Sequence, residues 1–378
     1  MRKVLCVFSV ILLLLAGCLP KSYIETLGII SAVGYDLTEG ERIRGTLVMF
    51  QFDPAETSTS QVVTAEAETS KGVRFATGRL TSHELVSGQV RLEIFENELA
   101  ERGMMKYMDT LQRDATISDM GYLATSEVPT ERLLKSKNDE DQPNTGDYIQ
   151  ELIKKSIKNE SIPSALLTTF MHDVYDVGKD PILPLLSLEN DKTVINGVSL
   201  FQDDRLVQTV SQDLMFYIML MTHEFEHGQF QIQLEDEALK KYHKKESIET
   251  PAEGPLHVSV HELSTKPKIR PTKGEPTKQS LSLEMEGRLL EITQDIDLKN
   301  KNAVKTLEKE MEKKVTEHLN ETLKILKENA IDPVGFGAKY NAHNRSNRVT
   351  RENWREQIQD LQVKFDVSFT LLRYGISE

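Results

Sequence analysis

The clearest pattern in the chain lies near its end. Leu361, Val363, Phe365, Val367, Phe369 and Leu371 alternate without a fault against Gln362, Lys364, Asp366, Ser368 and Thr370. Period-two alternation of this kind predicts a strand with one buried and one wet face. Ahead of it, Val304, Leu307, Met311, Val315, Leu319, Leu323 and Leu326 fall at helical spacing and predict a long amphipathic helix over 303–326. A second helix is expected over 353–361. Leu256, Val258 and Val260, then Leu281, Leu283 and Met285, predict two further strands. The order strand, strand, helix, helix, strand argues for an α+β unit with helices on one face of a sheet. Between those two strands, Thr265–Gln279 holds three prolines, four lysines and an arginine, and is expected as an exposed loop. Its local positive charge suits contact with a membrane surface.

The earlier part of the chain is patterned more weakly. Ile29–Asp36 and Arg42–Phe52 are rich in β-formers and flank the polar turn Leu37–Glu41, which predicts a hairpin. Helices are expected over 71–80, over 99–112 with a break near Gly103, over 148–158 and over 162–174. Val194–Phe201 and Arg205–Val210 flank Gln202-Asp203-Asp204 and predict a second hairpin. Asp213 is placed to cap a helix over 214–221, whose body is apolar all round and therefore buried. Phe230, Ile232 and Leu234 alternate as in a strand. These elements divide the body into an N-terminal α+β domain over 18–190, a small middle domain over 191–250 and a C-terminal α+β domain over 251–378. The fold class is α+β, with mixed or antiparallel sheets flanked by helices.

The first eighteen residues change the picture. Met1-Arg2-Lys3 is followed by an apolar run from Val4 to Leu15 and then Leu15-Ala16-Gly17-Cys18, and the first acidic residue is Glu25. A positive segment, a short apolar stretch and a small-residue cleavage site describe a secretory signal over 1–17. The stretch is short for a helix that stays in the bilayer. Its ending resembles the bacterial lipobox. That resemblance implies cleavage between Gly17 and Cys18 and a diacylglyceryl thioether on Cys18. Cys6 and Cys18 are the two cysteines of the 378 residues, so the mature chain keeps no free thiol and no disulfide. Loss of residues 1–17 leaves 361 residues. It removes two basic and no acidic side chains, which takes the net charge from −13 to −15. So acidic a body argues against a nucleic-acid partner. It is also repelled by an anionic bilayer unless anchored. Residues 19–27 are expected as a short tether.

One catalytic pattern is present. His223-Glu224-Phe225-Glu226-His227 places two His at i, i+4 with a Glu between them, the spacing of a zinc peptidase helix. Read this way, the protein is a membrane-anchored zinc metallopeptidase using His223, Glu224 and His227. The context argues otherwise. Gly228 follows at once and strand-like alternation begins at Phe230, so the motif lies at or beyond the last helical turn. Glu246 and Glu249 are the available third ligands, in a charged stretch. There is no glycine-rich phosphate loop, no Gly-x-Ser-x-Gly elbow and no cysteine nucleophile. His257 and His261 read as solvated strand positions, and Met215, Met219 and Met221 as core filling. No catalytic residue, metal or cofactor is expected. A lipoprotein solute receptor would alternate strand and helix regularly, whereas this chain clusters hairpins.

Several segments together resemble the Ger(x)C family, the lipoprotein C subunit of spore nutrient-germinant receptors. Leu27-Gly28-Ile29-Ile30-Ser31-Ala32-Val33-Gly34-Tyr35-Asp36 looks like its opening strand. Glu98-Leu99-Ala100-Glu101-Arg102-Gly103 with Arg113-Asp114, then Pro181–Pro184 and Asn196–Phe201, resemble later segments. Asp332–Gly337, Trp354 and the alternating final strand resemble its carboxyl-terminal signature. The resemblance implies a non-enzymatic, elongated protein of about three domains. It would sit lipid-anchored on the outer face of the inner spore membrane, beside integral-membrane A and B subunits. It also puts His223–His227 where no metal is expected.

Overall fold

The computed structural model describes residues 23–40, 42–52, 59–114, 120–136, 144–244 and 254–373. Two sheets organise these residues, with helices against both, so the fold is α+β as expected. The strands are β1 (Leu27–Leu37), β2 (Ile43–Phe50), β3 (Ser60–Ala67), β4 (Glu84–Val86), β5 (Leu92–Glu96), β6 (Tyr122–Ser126), β7 (Ile182–Glu189), β8 (Lys192–Gln202), β9 (Arg205–Val210), β10 (Gly228–Leu234), β11 (Leu256–Thr272), β12 (Glu275–Ile292) and β13 (Gln362–Arg373). The helices are α1 (Ser70–Gly78), α2 (Asn97–Glu101), α3 (Met105–Arg113), α4 (Thr130–Leu134), α5 (Thr145–Lys158), α6 (Leu167–Tyr175), α7 (Gln212–Thr222), α8 (Lys301–Glu328), α9 (Phe336–His343) and α10 (Arg351–Gln357).

The first sheet runs β3-β2-β1-β5-β6-β7-β8-β9, with β4 also beside β1. Its centre, β1-β5-β6-β7, is parallel, and an antiparallel hairpin extends each side. Parallel neighbours need long crossovers: β2, β3, α1 and β4 lie between β1 and β5, and α2 to α6 lie between β5 and β7. Both faces are therefore covered. Tyr35, Phe95 and Tyr107 stack on one face with centroids 5.3 to 5.9 Å apart, beside Leu99, Phe170 and Phe201.

The second sheet is β10-β11-β12-β13, antiparallel except for the parallel β12–β13 pair. α8 lays Val304, Leu307, Met311, Val315, Leu319, Leu323 and Leu326 against it, the stripe read from the sequence. α7 is buried nearly all round through Met215, Ile218, Met219, Leu220 and Met221. It touches β8, β11 and α8, so one apolar core runs from the first sheet through α7 into the second. The described part of the expected middle domain, residues 191–244, contributes to both sheets. β8 and β9 complete the first sheet, α7 bridges, and β10 opens the second.

Three local expectations are corrected. Thr265–Gln279 is not a loop but the distal part of a long hairpin whose turn is confined to Lys273-Gly274. α7 is capped by the Ser211 hydroxyl, which accepts from the Leu214 N–H, rather than by Asp213. The tether is shorter than expected, because Leu27 already belongs to β1 and Ile24–Thr26 form a 3₁₀ turn.

Candidate functional site

Cys18 and Gly17, the expected lipidation and cleavage positions, lie outside the described residues. His223–His227 is described, and the helical face required for zinc is not there. α7 ends at Thr222, and His223 caps it with extended backbone (φ −109°, ψ 135°). His223 and His227 therefore do not project from one helical turn. They meet Glu160 instead. Its carboxylate accepts from the Glu226 N–H at 3.1 Å and the His227 N–H at 3.1 Å, and His223 Nε2 lies 3.6 Å away. Among the described residues no group of three His, Cys, Asp or Glu is placed to hold a metal. His257 is half-buried and His261 exposed, on β11.

The polar chemistry of the molecule concentrates where the two sheets meet. Asp332 is fully buried at the end of the turn after α8. Its carboxylate accepts from the Gly335 N–H (2.7 Å), Phe336 N–H (3.0 Å), Gly337 N–H (2.9 Å) and Trp354 Nε1–H (3.0 Å). Burial pushes this carboxyl up to about 7, Asp180 adds to that, and the backbone N–H groups pull against it. The Asp332 N–H donates to Asp180 Oδ2 at 2.6 Å, and the Asp180 N–H returns a bond to the Asp332 carbonyl at 2.9 Å. Asp180, at 1% side-chain exposure, is also paired with Arg355 of α10. Arg355 Nη2 reaches Asp203 in the β8–β9 turn at 3.0 Å, and Arg351 pairs with the same carboxylate. Burial pushes Asp203 up, but Arg351 and Arg355 outweigh it and hold the carboxyl below its usual range. Gly178 (φ +89°) lets the backbone preceding β7 lie directly on Gly337 of α9, where a Cβ would meet backbone at 2.5 Å.

This junction joins segments singled out for their resemblance. Asp180 precedes Pro181–Pro184, Asp203 follows Asn196–Phe201, and Asp332–Gly337 and Trp354 supply the other side. Sequence reasoning named Asp332 and Trp354 but missed Asp180, Asp203, Arg351 and Arg355. A signal existed: Arg351 and Arg355 are spaced i, i+4, which aims both guanidinium groups from one face of α10. Two other resembling segments end in carboxylates, one buried and one half-buried. Asp36 accepts the Thr130 and Glu131 N–H groups at the start of α4, at 2.5 and 3.2 Å. Asp114 pairs with Lys71 and, at 3.3 Å, with Arg74, which also holds the buried Glu93 at 3.3 Å.

None of these groups faces an open cavity with a reactive partner. Each buried carboxylate is answered by N–H donors or a guanidinium, which fixes backbone positions. Such an arrangement orients surfaces.

Two family models match successive parts of the chain. The spore germination protein N-terminal domain covers residues 20–188, and the spore germination B3/GerAC-like C-terminal domain covers 196–375. The chain belongs to the Ger(x)C family. Within that family, the spore germination protein GerQC of Bacillus cereus is 23% identical over 373 residues, 98% of each chain. The crystal structure of the GerBC protein aligns with a TM-score of 0.51 at 14% identity, covering 93% of this chain and all of that one. At that identity the likeness concerns the fold. The boundary between the matched segments falls within the β7–β8 hairpin of the first sheet.

Proposed function

We propose that this Ger(x)C protein is the lipid-anchored, non-catalytic C subunit of a spore germinant receptor. Acylated Cys18 holds it to the outer face of the inner spore membrane. It works by contact with integral-membrane A and B subunits during nutrient-triggered germination. The carrying observation is the order of the segments: a lipobox ending at Cys18, followed from residue 20 to 375 by both germination-protein segments. Two features support a scaffold role. The buried charges are spent on fixing one sheet against the other. Among the described residues, no helix is long and apolar enough to cross a membrane, and an acyl chain on Cys18 would supply the attachment.

The test is Cys18→Ala in the native organism, followed by fractionation of spore membranes and a germination assay. The protein is expected to leave the membrane fraction, and nutrient response to fall. A variant that remains membrane-bound refutes the anchor.

A further inference from the structure

Ten large hydrophobic side chains stand exposed among the described residues, and five of them fall within residues 23–80. Four gather at one end of the first sheet: Tyr23 (62% exposed), Ile24 (51%), Phe52 (43%) and Leu80 (62%). The pairing brings them together. Ile29 faces Phe50, which places Phe52 level with the start of β1, and the rings of Phe50 and Phe52 stack at 6.4 Å. β4 runs parallel to β1 with Leu27 opposite Glu84, so the turn after α1 that carries Leu80 leads into β4 from the same end at which Tyr23–Thr26 lead into β1. Thr81 bonds Gln61 at 3.5 Å, which ties that turn to the start of β3 at the same end. Phe75, one turn back on α1, has the Arg79 guanidinium 5.8 Å from its ring centroid.

This end is also where the chain enters from Cys18. Five peptide steps separate Cys18 from Tyr23, a span of at most about 18 Å of extended chain. Whatever surface holds the thioether lies within that reach of the apolar end.

We propose that Tyr23, Ile24, Phe52 and Leu80 form a collar that seats in the headgroup layer of the bilayer, so that the first sheet stands end-on upon the membrane. The inference rests on the acylation of Cys18. Tyrosine and phenylalanine beside leucine and isoleucine, with an arginine at the rim, match the chemistry of that layer, apolar below and wet above. The body carries net charge −15 once residues 1–17 are removed, so apolar contact draws this end to lipid. The rival membrane-facing surface is the basic turn of the β11–β12 hairpin at Lys273.

The experiment uses the mature full-length chain, acylated at Cys18 and reconstituted on phosphatidylcholine vesicles with bromine-labelled acyl chains. Tryptophan is introduced by Leu80→Trp or, separately, Lys273→Trp. Native Trp354 is buried and gives a constant background. Emission from Leu80→Trp is expected to shift to the blue and be quenched on the vesicles, with Lys273→Trp unchanged. Vesicle-bound protein with Leu80→Trp unquenched overturns the collar and leaves the anchor standing. Protein that does not co-float with the vesicles overturns the anchor and the collar with it. Quenching at Lys273→Trp alone assigns the membrane face to the hairpin and overturns the collar.

Discussion

Glu93 sits on β5 with its carboxylate buried 3.3 Å from Arg74, and burial raises it from an ordinary 4.5 to about 7. The folded protein therefore keeps a proton that the unfolded chain has released. Stability is fully present below pH 4.5 and is lost as pH rises through 7, by about 3 kcal/mol for one group with such a shift. Asp332 is displaced in the same direction and adds to the slope. Asp203 and Glu131 are shifted downward, so their effect falls at more acid pH and leaves this window untouched. Urea unfolding between pH 4.5 and 7 is expected to show stability declining with pH. Glu93→Gln, which keeps an acceptor for Arg74 but cannot ionise, is expected to flatten the decline. An unchanged slope would assign it elsewhere.

At the scale of elements, the contact of Gly178 with Gly337 decides how closely α9 approaches the backbone leading into β7. A Cβ on Gly337 would lie 2.7 Å from both the Gly178 Cα and the Trp354 ring. Gly337→Ala is expected to cost about 1–3 kcal/mol by overpacking, measured by urea unfolding. The effect should be absent at Gly78, which lies outside the left-handed region and where a Cβ meets only the Leu85 side chain, at 3.7 Å. Helices and strands with an uninterrupted period were legible in the sequence: α8, β13, the β1–β2 hairpin and the all-apolar α7. The distal β11–β12 hairpin was not, because its prolines read as breakers. Pro267 and Pro271 stand on β11 beyond the reach of β10, and Pro276 stands on β12 before β13 begins. Each occupies a stretch with one open side, where a residue without an N–H is tolerated. α9 was missed for another reason. It starts from Gly335 in the left-handed region and is too short to show a period. The junction carboxylates were hidden because their partners lie far off in sequence; the Asp180–Arg355 pair spans 175 positions.

For the whole molecule, the decisive property is that two sheets behave as one body. The shared apolar core through α7 supplies adhesion, and the Asp180–Asp203–Arg351–Arg355 cluster supplies orientation. Arg355→Ala leaves a buried carboxylate without its cation, and a loss of about 3–5 kcal/mol is expected. Calorimetry is expected to show one unfolding transition for the parent protein and two for the variant, the second sheet separating from the first. A single transition at lower temperature would mean that α7 alone couples the halves.

The distance along the chain between Asp180 and Arg355 carries a consequence for synthesis. Asp180 is made early and its cation comes from near the end, after α8 and α9 have been added. A copy that stops short of residue 355 leaves the Asp180 carboxylate with backbone N–H donors but no cation, and it also lacks β13. Such a product has reason to stay open and be degraded. The cluster that orients the two sheets is therefore completed late, only once residues 351–355 have joined the chain.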